Sequence, residues 1–223
     1  MSAFVDHLVV AARSLDEGVA WCEATLGITP GPGGKHPLMG THNRLFSIAT
    51  PAFPRTYFEI VSIDLQAAEP DRKRWFDLDD PTLREAVAHS PQLVHWVARV
   101  DDGARAVVAL RACGIDRGRL LTASRETPLG VLRWQISVRD DGMRLCGGAL
   151  PTLIQWGDAH PADAMPQSGV TLGALRLRAL DVAALAGALD AIGLGGLPVD
   201  TGNDGIEVEL QTPRGLVALG SPL

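Results

Sequence analysis

The sequence predicts an α+β fold in which repeated βαβββ modules curl into an antiparallel sheet cup with helices on its outer face. Three observations predict it. A strand, helix and closing glycine recur three times along the 223 residues. Each recurrence is followed by segments with the two-residue alternation of half-buried strands. Glycine- and proline-rich turns separate those segments, as short antiparallel connections require.

The first recurrence covers residues 6–28, DHLVVAARSLDEGVAWCEATLGI, the second residues 94–115, and the third residues 174–194. Asp16, Asp102 and Asp181 stand where a negative side chain suits a helix N-terminus, and Gly27, Gly114 and Gly193 supply the permissive residue that ends a helix. Extended segments follow at 43–49 and 56–63, then at 119–124, 131–139 and 152–156, and finally at 205–211 and 216–219. Turns at 30–34, 127–130 and 212–215 divide them. The implied organisation is a first module over residues 1–66, a connector over 67–92 with a short helix between Asp80-Pro81 and Ser90-Pro91, a second module over 93–158, and a third over 169–223. The Pro- and Asp-rich run GDAHPADAMPQS leads into the third.

A chain of this length buries a sizeable core without covalent staples. Its three cysteines, Cys22, Cys113 and Cys146, are odd in number and lack metal-ligand spacing, so they read as small buried hydrophobes. No run of 18 apolar residues escapes a charge, which argues against a membrane span. Polar residues interrupt MSAFVDHLVVAARSLDEG before a signal-peptide core forms, so a cytoplasmic protein is expected. A net charge of −6 with scattered basic residues argues against nucleic acid and leaves a small molecule as the expected partner.

Alternation places His7 with Val9 on the concave face of the first strand and Phe4, Leu8 and Val10 against the helix. In YFEIVSI it places Glu59 with Tyr57 and Val61 on the concave face, and Phe58 with Ile60 behind. His95 takes in the second module the slot of His7 in the first, while Gln155 stands near the end of that module's last strand. Two imidazoles and a carboxylate with open positions suit a divalent ion such as zinc, manganese, nickel or iron(II), whereas the plainer role for Glu59 is an ion pair with Arg99. Gln155, Tyr57, Trp134, Arg99 and His42 are the expected substrate contacts. Trp96 turns toward the helices, Asn43 shapes a turn, and His36, His89 and His160 fall in loops where solvation is expected. The third module repeats the pattern without the ligands, so it completes a sheet or builds an interface, a homodimer being one form that this takes.

The run DHLVVAARSLDEGVAWCEATLGI, followed by GTHNRLFSI and YFEIV, resembles the glyoxalase-like branch of the vicinal oxygen chelate superfamily. SRETPLGVLRW and PTLIQWGDAHP extend the likeness over most of the chain. The resemblance implies paired βαβββ modules forming a cup, with metal ligands from the first and last strands of each. His7, Glu59 and His95 match ligand types of that branch, and Gln155 departs from its usual glutamate. The activity implied is that of a divalent-metal-dependent lyase, isomerase or dioxygenase acting on a small oxygen-rich molecule, with Glu59 catalytic. The alternative is a metal-free small-molecule binding or resistance protein. Gln155 favours it, because a neutral amide is a poor ligand and no base.

Overall fold

The computed structural model describes residues 2–127 and 130–221. The turn expected at 127–130, and with it part of SRETPLGVLRW, lies outside the described residues. Among the described residues, four α-helices and twelve strands form as the local signals dictate. Helix α1 (Leu15–Leu26) starts at Ser14, whose hydroxyl accepts from the Glu17 amide, and stops at Gly27 in the left-handed region. Asp16 lies in its first turn, where it complements the helix dipole. Helices α2 (Pro81–His89), α3 (Gly103–Ala112) and α4 (Val182–Ala191) are capped by the carboxylates of Asp80, Asp102 and Asp181. Among the described residues no helix is long and apolar enough to cross a membrane.

The strands of the first module are β1 (Ala3–Ala11), β2 (Lys35–His36), β3 (Thr41–Ser47) and β4 (Tyr57–Ile63). Those of the second are β5 (Gln92–Val100), β6 (Arg119–Thr127), β7 (Gly130–Val138) and β8 (Thr152–Trp156). Together they make one eight-stranded sheet in the order β2-β3-β4-β1-β5-β8-β7-β6. Most neighbours are antiparallel, and each module's first strand pairs in parallel with its last. A shift of 88 residues carries the cap Ser14 onto the cap Asp102 and relates the two halves.

The helix-facing side of the sheet is apolar: Leu8, Phe58 and Trp96 join Cys22 and Leu26 of α1 and Ala106 and Leu110 of α3 in one buried cluster. Burying each large side chain contributes on the order of 1.5–3 kcal/mol. Val5 belongs to this cluster, whereas Phe4 is 44% exposed beneath the Arg99 guanidinium. Strict alternation had put Phe4 inside. The β1–β5 register slips between Val5 and His7, making Asp6 an extra residue, and such a bulge reverses the facing of what precedes it.

Strands β9 (Thr171–Ala179), β10 (Val199–Thr201), β11 (Gly205–Thr212) and β12 (Gly215–Gly220) form a separate sheet in the order β10-β9-β11-β12. Here the first strand pairs with the second and third rather than with the last, so the strand order departs from that of the other two modules. Leu172, Leu175, Leu185, Leu189, Ile206 and Leu210 of this unit lie in the same apolar cluster as Phe58 and Trp96.

The concave side carries a second cluster, with Val9, Val61, Val97, Trp134 and Ile154 joined by Trp75 and Phe76 from the connector. Phe76 and Asp77 both have φ near +60°, a region that costs L side chains about 1–3 kcal/mol unless surroundings enforce it. Enforcement is visible: the Asp77 amide donates to Gly142 O at 3.1 Å and its carboxylate meets Arg144 at 2.8 Å. The connector therefore drives an aromatic pair into the cup and divides it.

Candidate functional site

On one side of that partition lies a cleft of about 450 Å³, counting its mouth, which His7, Glu59, Asn43 and His36 line together with Tyr57, Trp75, Trp134 and Trp156. The bulge at Asp6 builds its floor. Neighbours in a regular strand face opposite ways, yet here the carboxylate of Asp6 meets Nδ1 of His7 at 2.7 Å. Asp6 is fully buried, and its other oxygen accepts from His160 Nε2 at 2.9 Å, Trp156 Nε1 at 3.1 Å and Arg99 Nη1 at 3.5 Å. Burial alone would raise its pKa. Hydrogen bonds from His160 and His7 more than reverse that and hold the carboxyl well below the usual range.

With Nδ1 tied to Asp6, the Nε2 atom of His7 turns to the Glu59 carboxylate, 3.5 Å away, and the ring stacks on Tyr57 with centroids 4.5 Å apart. The Asn43 amide nitrogen donates to the other Glu59 oxygen at 2.5 Å and lies 3.3 Å from Nε2 of His36. Strand β4 positions Glu59 as its alternation predicts, with Phe58 and Ile60 in the helix-side core.

The second half repeats the backbone without the charges. The register of β1 and β5 slips again between Val9 and Val10, making Val94 the extra residue, 88 positions after Asp6. Val9 faces Glu59 across β1 and β4, and its counterpart Val97 faces Thr152 across β5 and β8. The quasi-equivalents of Asp6, His7 and Glu59 are thus Val94, His95 and Thr152; Gln155 does not correspond to Glu59. Lacking an acid beside it, His95 turns its Nδ1 to Gly148 O at 3.2 Å, while its Nε2 accepts from the Thr152 amide at 3.1 Å. Burial, with Arg117 and Arg144 nearby, keeps the ring neutral by pushing its pKa well below the ordinary value.

Of the residues singled out from the sequence, His7, Glu59, Tyr57 and Trp134 meet in the cleft, and His95, Gln155, Arg99 and His42 do not line it. Gln155 accepts from the Gly103 amide at 2.8 Å and so caps α3. Arg99 stands behind the cleft on Asp6, so it is no partner of Glu59. His42 sits one residue off the concave alternation of β3, which presents Asn43 instead, so the turn role expected for Asn43 gives way to a site role. His36 and His160, expected in solvent, are 9% and 3% exposed. His160 was findable in retrospect: a polar residue before Pro161 is a helix-cap signal, and its Nδ1 accepts from the Ala162 amide, leaving Nε2–H for Asp6.

Buried neutral histidines have a pH consequence. Burial, opposed by Glu59 and reinforced by Arg125, takes the His36 pKa down from 6.5 to about 4. Between those values the unfolded chain binds the proton that the folded one refuses, so stability present above pH 6.5 is lost as pH falls toward 4. For His36 alone the loss is about 3 kcal/mol, and His95 acts in the same direction. Urea midpoints measured from pH 7.5 to 4 should fall along this window, with a shallower slope in His36→Gln.

A family model described as a glyoxalase-like domain matches residues 5–193. No curated protein matches. Among solved structures, a hypothetical protein from Staphylococcus aureus aligns with a TM-score of 0.60 at 15% identity, over 99% of this chain and 85% of that one. A Streptomyces coelicolor methylmalonyl-CoA epimerase variant in complex with 2-nitronate-propionyl-CoA aligns at 0.44 and 20% identity, over 71% of this chain and 99% of that one. The Mycobacterium tuberculosis methylmalonyl-CoA epimerase aligns at 0.41 and 18% identity, over 72% and 91%. At 15% identity the likeness to the Staphylococcus aureus protein is one of fold alone.

Proposed function

Because the chain belongs to the glyoxalase-like domain family, we propose that it is an isomerase or lyase that moves a proton on a carbon next to a carbonyl group in a small oxygen-rich molecule. The observation that carries this reading is the Asp6–His7–Glu59 line, with His7 Nε2 and Glu59 Oε2 3.5 Å apart at the floor of an aromatic-walled cleft. Glu59, clamped on one oxygen by Asn43, removes the carbon-bound proton with the other. His7, oriented by Asp6, presents Nε2 to the carbonyl oxygen and donates as negative charge develops there. The surrounding Tyr57, Trp134 and Trp156 exclude water, which strengthens both interactions.

The metal set of His7, Glu59 and His95 does not fit these residues. The His95 Nε2 lone pair is taken by the Thr152 amide, and no three His, Cys, Asp or Glu side chains converge as metal ligands among the described residues. Of that set, a divalent ion would have His7 and Glu59 alone among the described residues.

The test is solvent deuterium uptake, followed by proton NMR, into a panel of small 2-oxo and 2-hydroxy acids, their amides and their aldehydes. Catalysed exchange into at least one compound is expected. Binding to panel members with exchange into none would leave a small-molecule binding protein, the reading that the aromatic walls also suit.

A further inference from the structure

We propose that the substrate of this site carries a carboxylate, and that Arg125 of β6 is the residue that binds it. The inference rests on the acid–base reading of the cleft and adds the charge and placement of the substrate's second group. Arg125 lines the same cleft as His7 and Glu59. No carboxylate pairs with it among the described residues, whereas Arg74, Arg99 and Arg144, also withdrawn from water, each meet one. Arg117 also lacks an acid but is occupied by Pro151 O and the Thr152 hydroxyl, and Arg44, half-buried like Arg125 and likewise without an acid among the described residues, does not line the cleft.

Arg125 has no such satisfaction. Among the described residues its Nε is buried without a partner, and its one hydrogen bond is a long 3.4 Å contact from Nη1 to the Asn43 carbonyl oxygen. A guanidinium left with open donors facing a cleft matches the two oxygens of a carboxylate. Space for it is built into the backbone: a Cβ on Gly34 would collide with the Arg125 side chain, so the glycine is what lets the guanidinium lie across the loop. The Trp75 indole N–H, in the same lining, is likewise buried and unpartnered and supplies a second donor.

Placement follows from Asn43, whose oxygen faces Arg125 while its nitrogen donates to Glu59. One amide therefore separates the anion-binding group from the base. A carboxylate on Arg125 lies within a few bonds of the carbon that Glu59 deprotonates, which describes a short 2-oxo or 2-hydroxy carboxylate. A single guanidinium suits one negative charge better than the two of a phosphate.

Three tryptophans in the lining make binding readable by intrinsic fluorescence, independently of turnover. The full chain would be titrated with pyruvate, 2-oxobutanoate and 2-oxoglutarate, with the corresponding amides, and with inorganic phosphate. At least one carboxylate is expected to bind roughly tenfold or more tightly than its amide. Arg125→Gln should abolish that preference, and Arg125→Lys should restore part of it, with near-ultraviolet circular dichroism confirming that both variants fold. Equal binding of acid and amide, no binding of any acid, a preference that survives Arg125→Gln, or tighter binding of phosphate would each overturn the proposal. Charge-selective binding without proton exchange would sink the acid–base reading while leaving this one standing.

Discussion

Replacing Glu59 with glutamine is expected to lower solvent exchange into the substrate by about 10²–10⁴-fold, the usual contribution of a positioned general base. The substitution keeps the shape of the side chain. Its amide oxygen can still accept from Asn43, so that hydrogen bond is kept. What disappears is the group that takes the proton. The loss should therefore fall on kcat with KM little changed, the signature of an interaction made only in the transition state. A variant retaining more than a tenth of wild-type exchange would show that Glu59 is not the base.

Asp6→Ala should be among the most damaging single changes to stability. It leaves His7, His160, Trp156 and Arg99 without the acceptor that all four share, at a position with no access to water. Removing one member of a buried charged network costs about 3–5 kcal/mol, because the remaining charge stays buried and unpaired. In a chain of this size that corresponds to a Tm lower by roughly 6–20 °C. Asp6→Asn keeps the shape, but an amide offers one acceptor atom where the carboxylate offers two, so one of the opposing donors meets an N–H. Because the folded pKa of Asp6 is depressed, its contribution is complete above the ordinary carboxylate range and is lost only as pH falls through that folded value. The acid loss between pH 6.5 and 4 should accordingly persist in Asp6→Asn, since it belongs to the histidines. An unchanged Tm in Asp6→Ala would refute the central place given to this carboxylate.

The sequence by itself determined the α+β class, the two cup modules and the concave facing of His7, Tyr57 and Glu59. Those features depend on local rules: caps at Asp102 and Asp181, helix-ending glycines, and alternation that puts Phe58 and Ile60 on the opposite face. Tertiary structure decided the rest, because the remaining site residues depend on contacts between segments far apart in the chain. A one-residue bulge, defined only by the pairing of β1 with β5, turns Asp6 beside His7 and Phe4 outward. The β5–β8 register makes Thr152, not Gln155, the counterpart of Glu59, and with Val94 in place of Asp6 the His95 ring falls to backbone partners. His160 reaches Asp6 across 154 positions, and the connector that read as a spacer inserts Trp75 and Phe76 into the cup. Alternation assigns a residue to a face. Only the pairing partner assigns it a neighbour, and the chemistry of a buried acid or imidazole is set by its neighbours.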